Sequence, residues 1–241
     1  MADRGRAARV LVTRPEPGAT ETARRLTEIG FDPVVLPLTR TLPLTPPAFD
    51  PSGVDLVVAT SANALRSAPP ELLAALADRP MMTVGDRTAQ VARNAGWPAP
   101  VSAGGDVRNL IQQVAARSGV TRIAYLCGRV RRQEFEAEMM RLGLTVQAVE
   151  VYDVTHIDYS ERELAQQVGE PGIDFVLVYS AEAAAALNGL LASLSIGTLS
   201  RPIFLCLSQR IADALNVDSA RKRVGERPEQ DALFAVLQRE A

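Results

Sequence analysis

Short apolar runs alternate with amphipathic stretches along nearly the whole chain, and this alternation predicts strands separated by helices. The first run, Val10–Val12, is followed by a segment that places Ala23, Leu26 and Ile29 on one face of a helix. Apolar, β-branched strands that each lead into a helix are typical of parallel sheets covered on both faces. The pattern therefore predicts an α/β protein with parallel sheets.

The order of sequence landmarks in the first half of the chain recurs in the second half, which indicates an internal repeat. Each half opens with a strand, a helix and a strand, and the halves meet near Ser118-Gly119. The matching positions are Gly30 with Gly143, Ser61 with Ser180, Arg79-Pro80 with Arg201-Pro202, Ala89 with Ala212, and Leu110 with Leu233. We therefore predict two parallel-sheet domains, flavodoxin-like or Rossmann-like, that derive from one repeat.

Length and composition narrow the function classes. At 241 residues the chain is long enough for two domains of ordinary size, each with its own core. Hydrophobic residues make up 47% and charged residues 22%, which is the balance of a soluble globular protein. The formal net charge of −2 provides no broad positive field, so neither nucleic acid nor an anionic membrane is the expected partner. An acidic ligand would have to be held by a local site.

Cysteine and histidine are scarce, and this limits metal and redox chemistry. Cys127 and Cys206 both lie in apolar strand patterns, so we expect buried, reduced thiols, with a disulfide or reactive pair as the alternative. His156 is the single histidine and no Cys-x-x-Cys motif occurs, so no metal site of the usual kinds is expected. The sequence shows no signal peptide and no apolar run of roughly 18 residues, which favours a cytoplasmic protein.

Polar residues follow several of the predicted strands, and each of these positions begins a helix. They are Thr13-Arg14, Thr60-Ser61, Gly85-Asp86, Gly128-Arg129, Tyr179-Ser180 and Ser208-Gln209. Ligands of parallel α/β sheets bind beyond the carboxyl ends of the strands. The first turn of a helix offers amide hydrogens without intrahelical partners and the positive end of the helix dipole. Together these helix starts predict a site for a polyanion.

Five motifs, taken in order, resemble those of the uroporphyrinogen-III synthase family, and the match spans nearly the whole chain. The motifs are Thr13-Arg14-Pro15, Asp55–Leu65, Val84-Gly85-x-x-Thr88-Ala89, Gly128-x-x-x-Arg132 and Val151-Tyr152. Each motif is weak alone, and their ordered combination is fairly specific.

The resemblance implies two α/β domains joined by a pair of linker strands, because the family's chain leaves its first domain early and returns to it late. In this chain residues 1–36 would join residues 155–241 in one discontinuous domain. Residues 41–150 would form the other domain, and residues 37–40 and 151–154 would be the linker strands. A monomer is expected.

The resemblance also implies a reaction, namely cyclisation of the linear tetrapyrrole hydroxymethylbilane with inversion of its last pyrrole ring. Water leaves the hydroxymethyl group, an azafulvene forms, and a spiro intermediate breaks and recloses to give uroporphyrinogen III. The family uses no metal and no organic cofactor. The substrate is a polycarboxylate, and its handover from hydroxymethylbilane synthase is one option.

The family's functional residues can be placed on this sequence one by one. Tyr152 matches the tyrosine that is proposed to assist loss of the hydroxyl group, since a phenol with a pKa near ~10 is protonated at neutral pH. The positions expected to bind substrate are Arg14, Ser61, Asn63, Gly85, Thr88, Gly128, Arg132, Ser180 and Ser208.

Each of these assignments has a plain structural alternative. Tyr152 could simply pack against a linker strand, and the serines could be ordinary helix caps. The arginines near Gly128 could form a solvated basic turn balanced by Glu134, Glu136 and Glu138. Ser61 is not expected to be a hydrolase nucleophile, because the glycines of a nucleophile elbow are absent.

The run Ser208–Ile211 departs from the family pattern, in which a small Gly-x-Thr-Thr-like turn is usual. Arg210 and Ile211 stand where hydroxyl groups are expected, so the contacts are rearranged or this copy has lost activity. The second hypothesis is therefore a non-catalytic protein that binds tetrapyrroles or other anionic small molecules. A nucleotide-dependent transferase is a third hypothesis, which the absence of a glycine-rich phosphate loop disfavours.

Overall fold

The computed structural model describes residues 6–131, 133–193 and 201–241. These residues form two compact units. One unit contains the chain up to Arg40 together with Thr155–Ala241, and the other contains Thr41–Val154.

The strands have the following bounds in chain order. They are β1 (Arg9–Val12), β2 (Asp32–Val35), β3 (Thr39–Pro43), β4 (Leu56–Ala59), β5 (Met81–Thr83), β6 (Val101–Ser102), β7 (Arg122–Gly128), β8 (Thr145–His156), β9 (Phe175–Val178), β10 (Ile203–Cys206) and β11 (Lys222–Val224). The sequence pattern does not predict β11, because Lys222 and Arg223 interrupt the apolar alternation.

The helices lie between these strands, so most strands lead directly into a helix. They are α1 (Gly18–Glu28), α2 (Ala62–Ser67), α3 (Pro70–Leu76), α4 (Asp86–Asn94), α5 (Val107–Ala115), α6 (Glu134–Arg141), α7 (Glu161–Val168), α8 (Ala181–Ser193), α9 (Gln209–Ala214) and α10 (Gln230–Glu240), with a short 3-10 turn at Ser219–Arg221. Ala68 separates α2 from α3 with an extended backbone, as expected for a residue that precedes a proline.

The described strands form two sheets. The first has the order β11-β10-β9-β1-β2, and the second has the order β3-β8-β7-β4-β5-β6. The pairings within the first sheet are parallel, and so are those that join β8, β7, β4, β5 and β6. The prediction of an α/β protein with parallel sheets is confirmed.

Alternating strand residues supply a hydrophobic core to each face of each sheet. In the first sheet Leu11 packs with Val176 and Phe204 on one side, while Val10 and Val12 pack on the other. The second sheet has the same construction, with its two clusters built around Val57 and Val58. Both faces are covered, which explains why the strands read as continuous apolar runs.

Several helix ends follow from local sequence. Ser160 and Glu163 form the reciprocal capping box at the start of α7 that this serine and glutamate spacing favours. Gly30 and Gly143 follow α1 and α6 with φ angles of 90° and 77°. A residue with a Cβ rarely adopts such angles, so the two glycines allow the chain to turn back into β2 and β8.

Both cysteines are free and buried, which confirms the expectation of unpaired thiols. Burial raises the pKa of Cys127 to about 12 and that of Cys206 to about 11. The native state therefore keeps both protons at a pH at which the unfolded chain begins to lose them. The two protonated thiols therefore make their full contribution to the free energy of unfolding below about pH 9. This contribution is lost as the pH rises through the folded-state pKa values of about 11 and 12.

We expect the free energy of unfolding to fall steadily above about pH 9, as measured by urea denaturation at a series of pH values. Cys127→Ala should make this decline shallower, whereas Met82→Leu, a non-ionising change in the same core cluster as Cys127, should leave its slope unchanged. An identical slope in the wild type and the Cys127→Ala variant would contradict the expectation.

Candidate active site

Four of the predicted site residues lie at the carboxyl edge of the second sheet. Strands β7, β4 and β5 are parallel neighbours, so their carboxyl ends share one edge. Ser61 and Gly85 follow the ends of β4 and β5, and Gly128 is the last residue of β7. Tyr152, on the adjacent strand β8, is the register partner of Gly128. Topology thus brings together positions that lie up to 91 residues apart in sequence (152 minus 61).

A β-bulge decides which way Tyr152 faces. Cys127 pairs with Glu150 and Gly128 pairs with Tyr152, so Val151 is an extra residue in β8. Regular alternation would send Val151 and Tyr152 to opposite faces of the sheet. Both instead pack into the cluster that contains Leu65 of α2. The bulge therefore turns Tyr152 toward the helix that Ser61 begins.

Tyr152 is a largely buried phenol near the Ser61 hydroxyl. Its residue is 9% exposed. Burial raises its pKa, and the neighbouring Ser61 side chain acts in the opposite direction. The phenol consequently stays protonated at neutral pH and can donate a hydrogen bond or a proton.

Gly128 makes room for the ring of Tyr152. A Cβ atom at position 128 would lie 2.6 Å from Cζ and 3.0 Å from Oη of that ring. Non-bonded carbon atoms do not approach so closely without displacement, so only glycine fits here. The amide of Arg129 donates a 2.8 Å hydrogen bond to the Tyr152 carbonyl and fixes the backbone beside the ring.

Ser61 has a structural task in addition to its contact with Tyr152. It is the N-cap of α2, where its Oγ accepts a 3.2 Å hydrogen bond from the Asn63 amide. The side-chain amide of Asn63 donates to Thr41 Oγ1 on β3 at 3.3 Å. Ser61 therefore caps α2 and also lies near Tyr152. Asn63 connects the first turn of α2 to β3.

Gly85 and Thr88 form the start of α4 after β5. The Gly85 carbonyl accepts hydrogen bonds from the amide of Thr88 and from Thr83 Oγ1, at 3.0 Å and 3.2 Å. A Cβ atom on Gly85 would lie 3.4 Å from the Cα atom of Gly105. Thr88 is buried. Close packing against the backbone of Gly105 explains why position 85 is a glycine. The Thr88 side chain mostly contacts other protein atoms and not solvent.

Arginines after Gly128 are largely paired with acids. Arg131 contacts Glu136 and Glu150 at 2.9 Å and 2.8 Å, and Arg129 contacts Asp153 at 3.0 Å. Glu136 is one of the balancing acids predicted from the sequence. Glu150 and Asp153 on β8 were not predicted, because they lie about 20 residues away along the chain. Arg132, the arginine predicted to bind substrate, lies outside the described residues.

The other unit contains Arg14, at the carboxyl end of β1. Its guanidinium lies 4.4 Å from the ring centroid of Tyr179, in a cation–π arrangement. Its Nη1 also donates to Gln230 Oε1 at 3.0 Å and to Thr22 Oγ1 at 3.3 Å. A Cβ atom on Gly18 would lie 2.6 Å from Arg14 Nε. These contacts hold the guanidinium in one place. None of the partners is evident from the sequence pattern.

Ser180 and Ser208 follow β9 and β10, where β9 is the parallel neighbour of β1 and β10 is the parallel neighbour of β9. Ser180 Oγ accepts a 3.1 Å hydrogen bond from the Ala183 amide in the first turn of α8. Ser208 is the N-cap residue of α9, but its side chain makes no capping hydrogen bond. Ile211, one of the two departures from the family pattern, is 3% exposed and belongs to the core of this unit.

The described residues favour acid–base and hydrogen-bonding chemistry. They contain no cluster of three or more His, Cys, Asp or Glu side chains that could hold a metal ion. Within the same part of the chain, no helix is both long enough and apolar enough to cross a membrane. The groups suited to chemistry are the protonated phenol of Tyr152, the hydroxyl of Ser61 and the fixed guanidinium of Arg14.

Comparison with known proteins gives a family and a fold. A family model described as uroporphyrinogen-III synthase HemD matches residues 20–235. The structure resembles that of uroporphyrinogen-III synthetase from Helicobacter pylori, with 13% sequence identity, a TM-score of 0.66 and coverage of 97% of this chain and 100% of that one. It also resembles a mutant uroporphyrinogen III synthase from the extremely thermophilic bacterium Thermus thermophilus, with 18% identity, a TM-score of 0.57 and coverage of 97% and 98%. No curated protein matches the sequence.

The two structural similarities concern the fold alone, since their sequence identities are low. The family match rests on the sequence and extends over most of the chain. Four of the five motifs, from Asp55 to Tyr152, lie within the matched residues. On this ground the chain belongs to the uroporphyrinogen-III synthase family of lyases.

Proposed function

We propose that this protein catalyses the cyclisation of hydroxymethylbilane to uroporphyrinogen III, with inversion of the last pyrrole ring through a spiro intermediate. The observation that carries the proposal is the position of Tyr152. A buried, protonated phenol lies at the carboxyl edge of a parallel sheet, beside Ser61 and Gly128. Family membership supplies the reaction to which such a phenol is suited.

Tyr152 acts as the general acid in the first step. The bond between the methylene carbon and the hydroxyl oxygen breaks while the phenol supplies a hydrogen bond or proton to that oxygen, and water leaves. Electrons from the pyrrole that bears the hydroxymethyl group form the azafulvene at that end of the substrate. The substituted carbon of the last pyrrole ring, at the other end, attacks the azafulvene carbon to give the spiro intermediate. The bond from the spiro carbon to its original methylene link then breaks, the free carbon of the inverted ring bonds to that methylene, and loss of the proton on this carbon gives uroporphyrinogen III. Burial raises the pKa of the phenol, which makes it a weaker acid but keeps it protonated and able to donate a hydrogen bond to the departing oxygen.

Ser61 and Gly128 orient the phenol. The Ser61 hydroxyl is the polar neighbour of Tyr152 and is itself fixed at the start of α2. Gly128 allows the ring to lie directly against the end of β7. The reacting group thus packs against the end of β7 on one side and lies near the Ser61 hydroxyl on the other.

The carboxylates of the substrate are held by arginine side chains and by amides at the starts of helices. The residues assigned to this task are Arg14, Ser61, Asn63, Gly85, Thr88, Gly128, Arg132, Ser180 and Ser208. The amides of a first helical turn attract anions without adding net charge, which suits a chain with a formal net charge of −2.

The two units are proposed to be copies of one ancestral domain, with residues 37–40 and 151–154 as linker strands. The strand order supports this proposal. The order β11-β10-β9-β1-β2 in one sheet corresponds to β6-β5-β4-β7-β8 in the other. The unit β1-α1-β2 supplies the last two strands of the first order, and the unit β7-α6-β8 supplies the corresponding two strands of the second. A cytoplasmic monomer that receives hydroxymethylbilane from its synthase completes the proposal.

Product analysis tests the function directly. Purified protein is added to freshly generated hydroxymethylbilane, the products are oxidised, and isomers I and III are separated. We expect isomer III to predominate with the wild type and isomer I to predominate with heat-denatured protein. Isomer I alone, formed at the uncatalysed rate by folded protein, would refute the proposed activity.

One observation favours a second function, binding without turnover. Ile211 packs into the core at a position where the family pattern has a hydroxyl group. An apolar side chain therefore stands where a polar contact to the ligand is expected. The alternative is a tetrapyrrole-binding or regulatory protein with the same fold. Saturable binding of uroporphyrinogen, together with no formation of isomer III, would support it over the enzyme.

A further inference from the structure

Arg131 makes polar contacts with two carboxylates and two backbone carbonyls. Its Nε donates to Glu136 Oε1 at 2.9 Å, and its Nη1 donates to Glu150 Oε1 at 2.8 Å. The same Nη1 lies 3.2 Å from the Gly128 carbonyl and 3.3 Å from the Arg129 carbonyl. Only 17% of the side chain is exposed. The guanidinium therefore fastens a helix, a strand and a turn to one another.

These contacts surround the bulge that orients Tyr152. Glu150 lies two residues before Tyr152 on β8, at the last regular pair before the register shift. Gly128, whose carbonyl Arg131 contacts, lies against the Tyr152 ring on the opposite strand. Arg131 thus holds both strands on either side of the shifted position. Glu136, its third anchor, lies in the first turn of α6 and connects the bulge to that helix.

We infer that Arg131 is a positioning residue for Tyr152, fixing the bulge of β8 and the turn after β7 so that the phenol faces Ser61. This inference rests on the proposed function only in its catalytic consequence. Its structural content, the placement of the phenol, can be tested without turnover.

The guanidinium group suits this task better than an ammonium group would. Its donors lie in one plane and can reach two carboxylates and a carbonyl at once. A lysine could satisfy the charge of one carboxylate but could not span the same set of acceptors. Neutral replacement would remove the arginine that pairs with Glu136, a side chain only 17% exposed, whereas Glu150 would keep Arg129 at 3.6 Å.

Titration of the Tyr152 phenol tests the placement. Tyrosinate absorbance is recorded against pH for Arg131→Gln and for wild type, and the matching Tyr152→Phe background is subtracted from each. We expect Arg131→Gln to shift the Tyr152 titration toward the ordinary tyrosine pKa of about 10, because a loosened bulge admits water to the phenol. An unchanged Tyr152 titration in the folded variant would overturn the inference.

Two further variants keep the test decisive. Arg131→Lys retains the charge and serves if Arg131→Gln does not fold; it should show a smaller shift in the same direction. Arg141→Gln removes an exposed arginine that pairs with Glu138 on the same helix, and it should leave the titration unchanged. A shift of equal size in Arg141→Gln would show that the change is unspecific and would also overturn the inference.

Kinetics separate this inference from the proposed function. Arg131→Gln is expected to lower kcat by about 10- to 100-fold with KM changed less than about 3-fold, and to have no further effect in a Tyr152→Phe background. Additive losses in the double variant would refute positioning through Tyr152. If the wild type forms no isomer III, the proposed function fails, whereas the titration still decides the role of Arg131.

Discussion

Tyr152→Phe should lower the rate of isomer III formation by about 100- to 10,000-fold, the range typical of the loss of a general acid. The variant keeps the aromatic ring that packs beside Gly128 and removes only the hydroxyl that meets Ser61. The effect should fall on kcat, because the phenol acts on the departing hydroxyl and not on the substrate carboxylates. Product analysis under saturating hydroxymethylbilane measures it.

A matched tyrosine provides the control. Tyr159 donates a 2.9 Å hydrogen bond from its hydroxyl to the Pro37 carbonyl and is half-buried. Tyr159→Phe therefore removes one phenol hydroxyl with a structural partner, at a cost of about 1 kcal/mol in the free energy of unfolding. Its kcat should match that of the wild type. Full cyclising activity in folded Tyr152→Phe would end the assignment of Tyr152 as the acid.

Gly128→Val should reduce activity nearly as strongly, for a steric reason. The new Cβ would lie 2.6 Å from Cζ and 2.8 Å from Cε2 of Tyr152, so the ring must move or the end of β7 must shift. Inserting side-chain volume into a packed site costs typically ~1 to 3 kcal/mol of stability. We expect kcat to fall by at least about 100-fold, since a displacement of about 1 Å can have that effect.

The Gly128→Val experiment combines thermal unfolding with the isomer assay. Gly189→Ala is the control, because a Cβ at this helical glycine meets no atom within 4 Å. That variant should unfold at the same temperature or slightly higher, since alanine favours helix over glycine by about 1 kcal/mol. If Gly128→Val retains wild-type kcat, the ring of Tyr152 does not need the space that glycine provides.

The sequence determined the class of fold, because parallel strands buried on both faces must be apolar along their whole length. Leu56–Ala59 and Phe175–Val178 are such runs, and both are fully buried central strands. Helix ends could be read in the same way, since a capping box and a glycine with positive φ are satisfied by neighbours in sequence. The short strand Lys222–Val224 was missed because two of its three side chains are charged, and only its pairing with β10 identifies it as a strand.

The sequence also identified the family, because ordered motifs survive where overall identity is low. It proposed Tyr152 and the residues at the strand ends as site residues, and those assignments stay predictions. Arg132 lies outside the described residues. From the sequence, Ile211 was only a departure from the family motif. In the structure it is a buried residue of the hydrophobic core.

Only the tertiary structure decided how the candidate site is held together. The bulge at Val151, which turns Tyr152 toward Ser61, is a property of the register between two strands and leaves no mark in periodicity. The clamp of Arg131 on Glu136 and Glu150 joins acids from a helix and a strand, and the stacking of Arg14 on Tyr179 joins the ends of two parallel strands. Local sequence fixes what a segment forms by itself, whereas these contacts arise only when distant segments pack together.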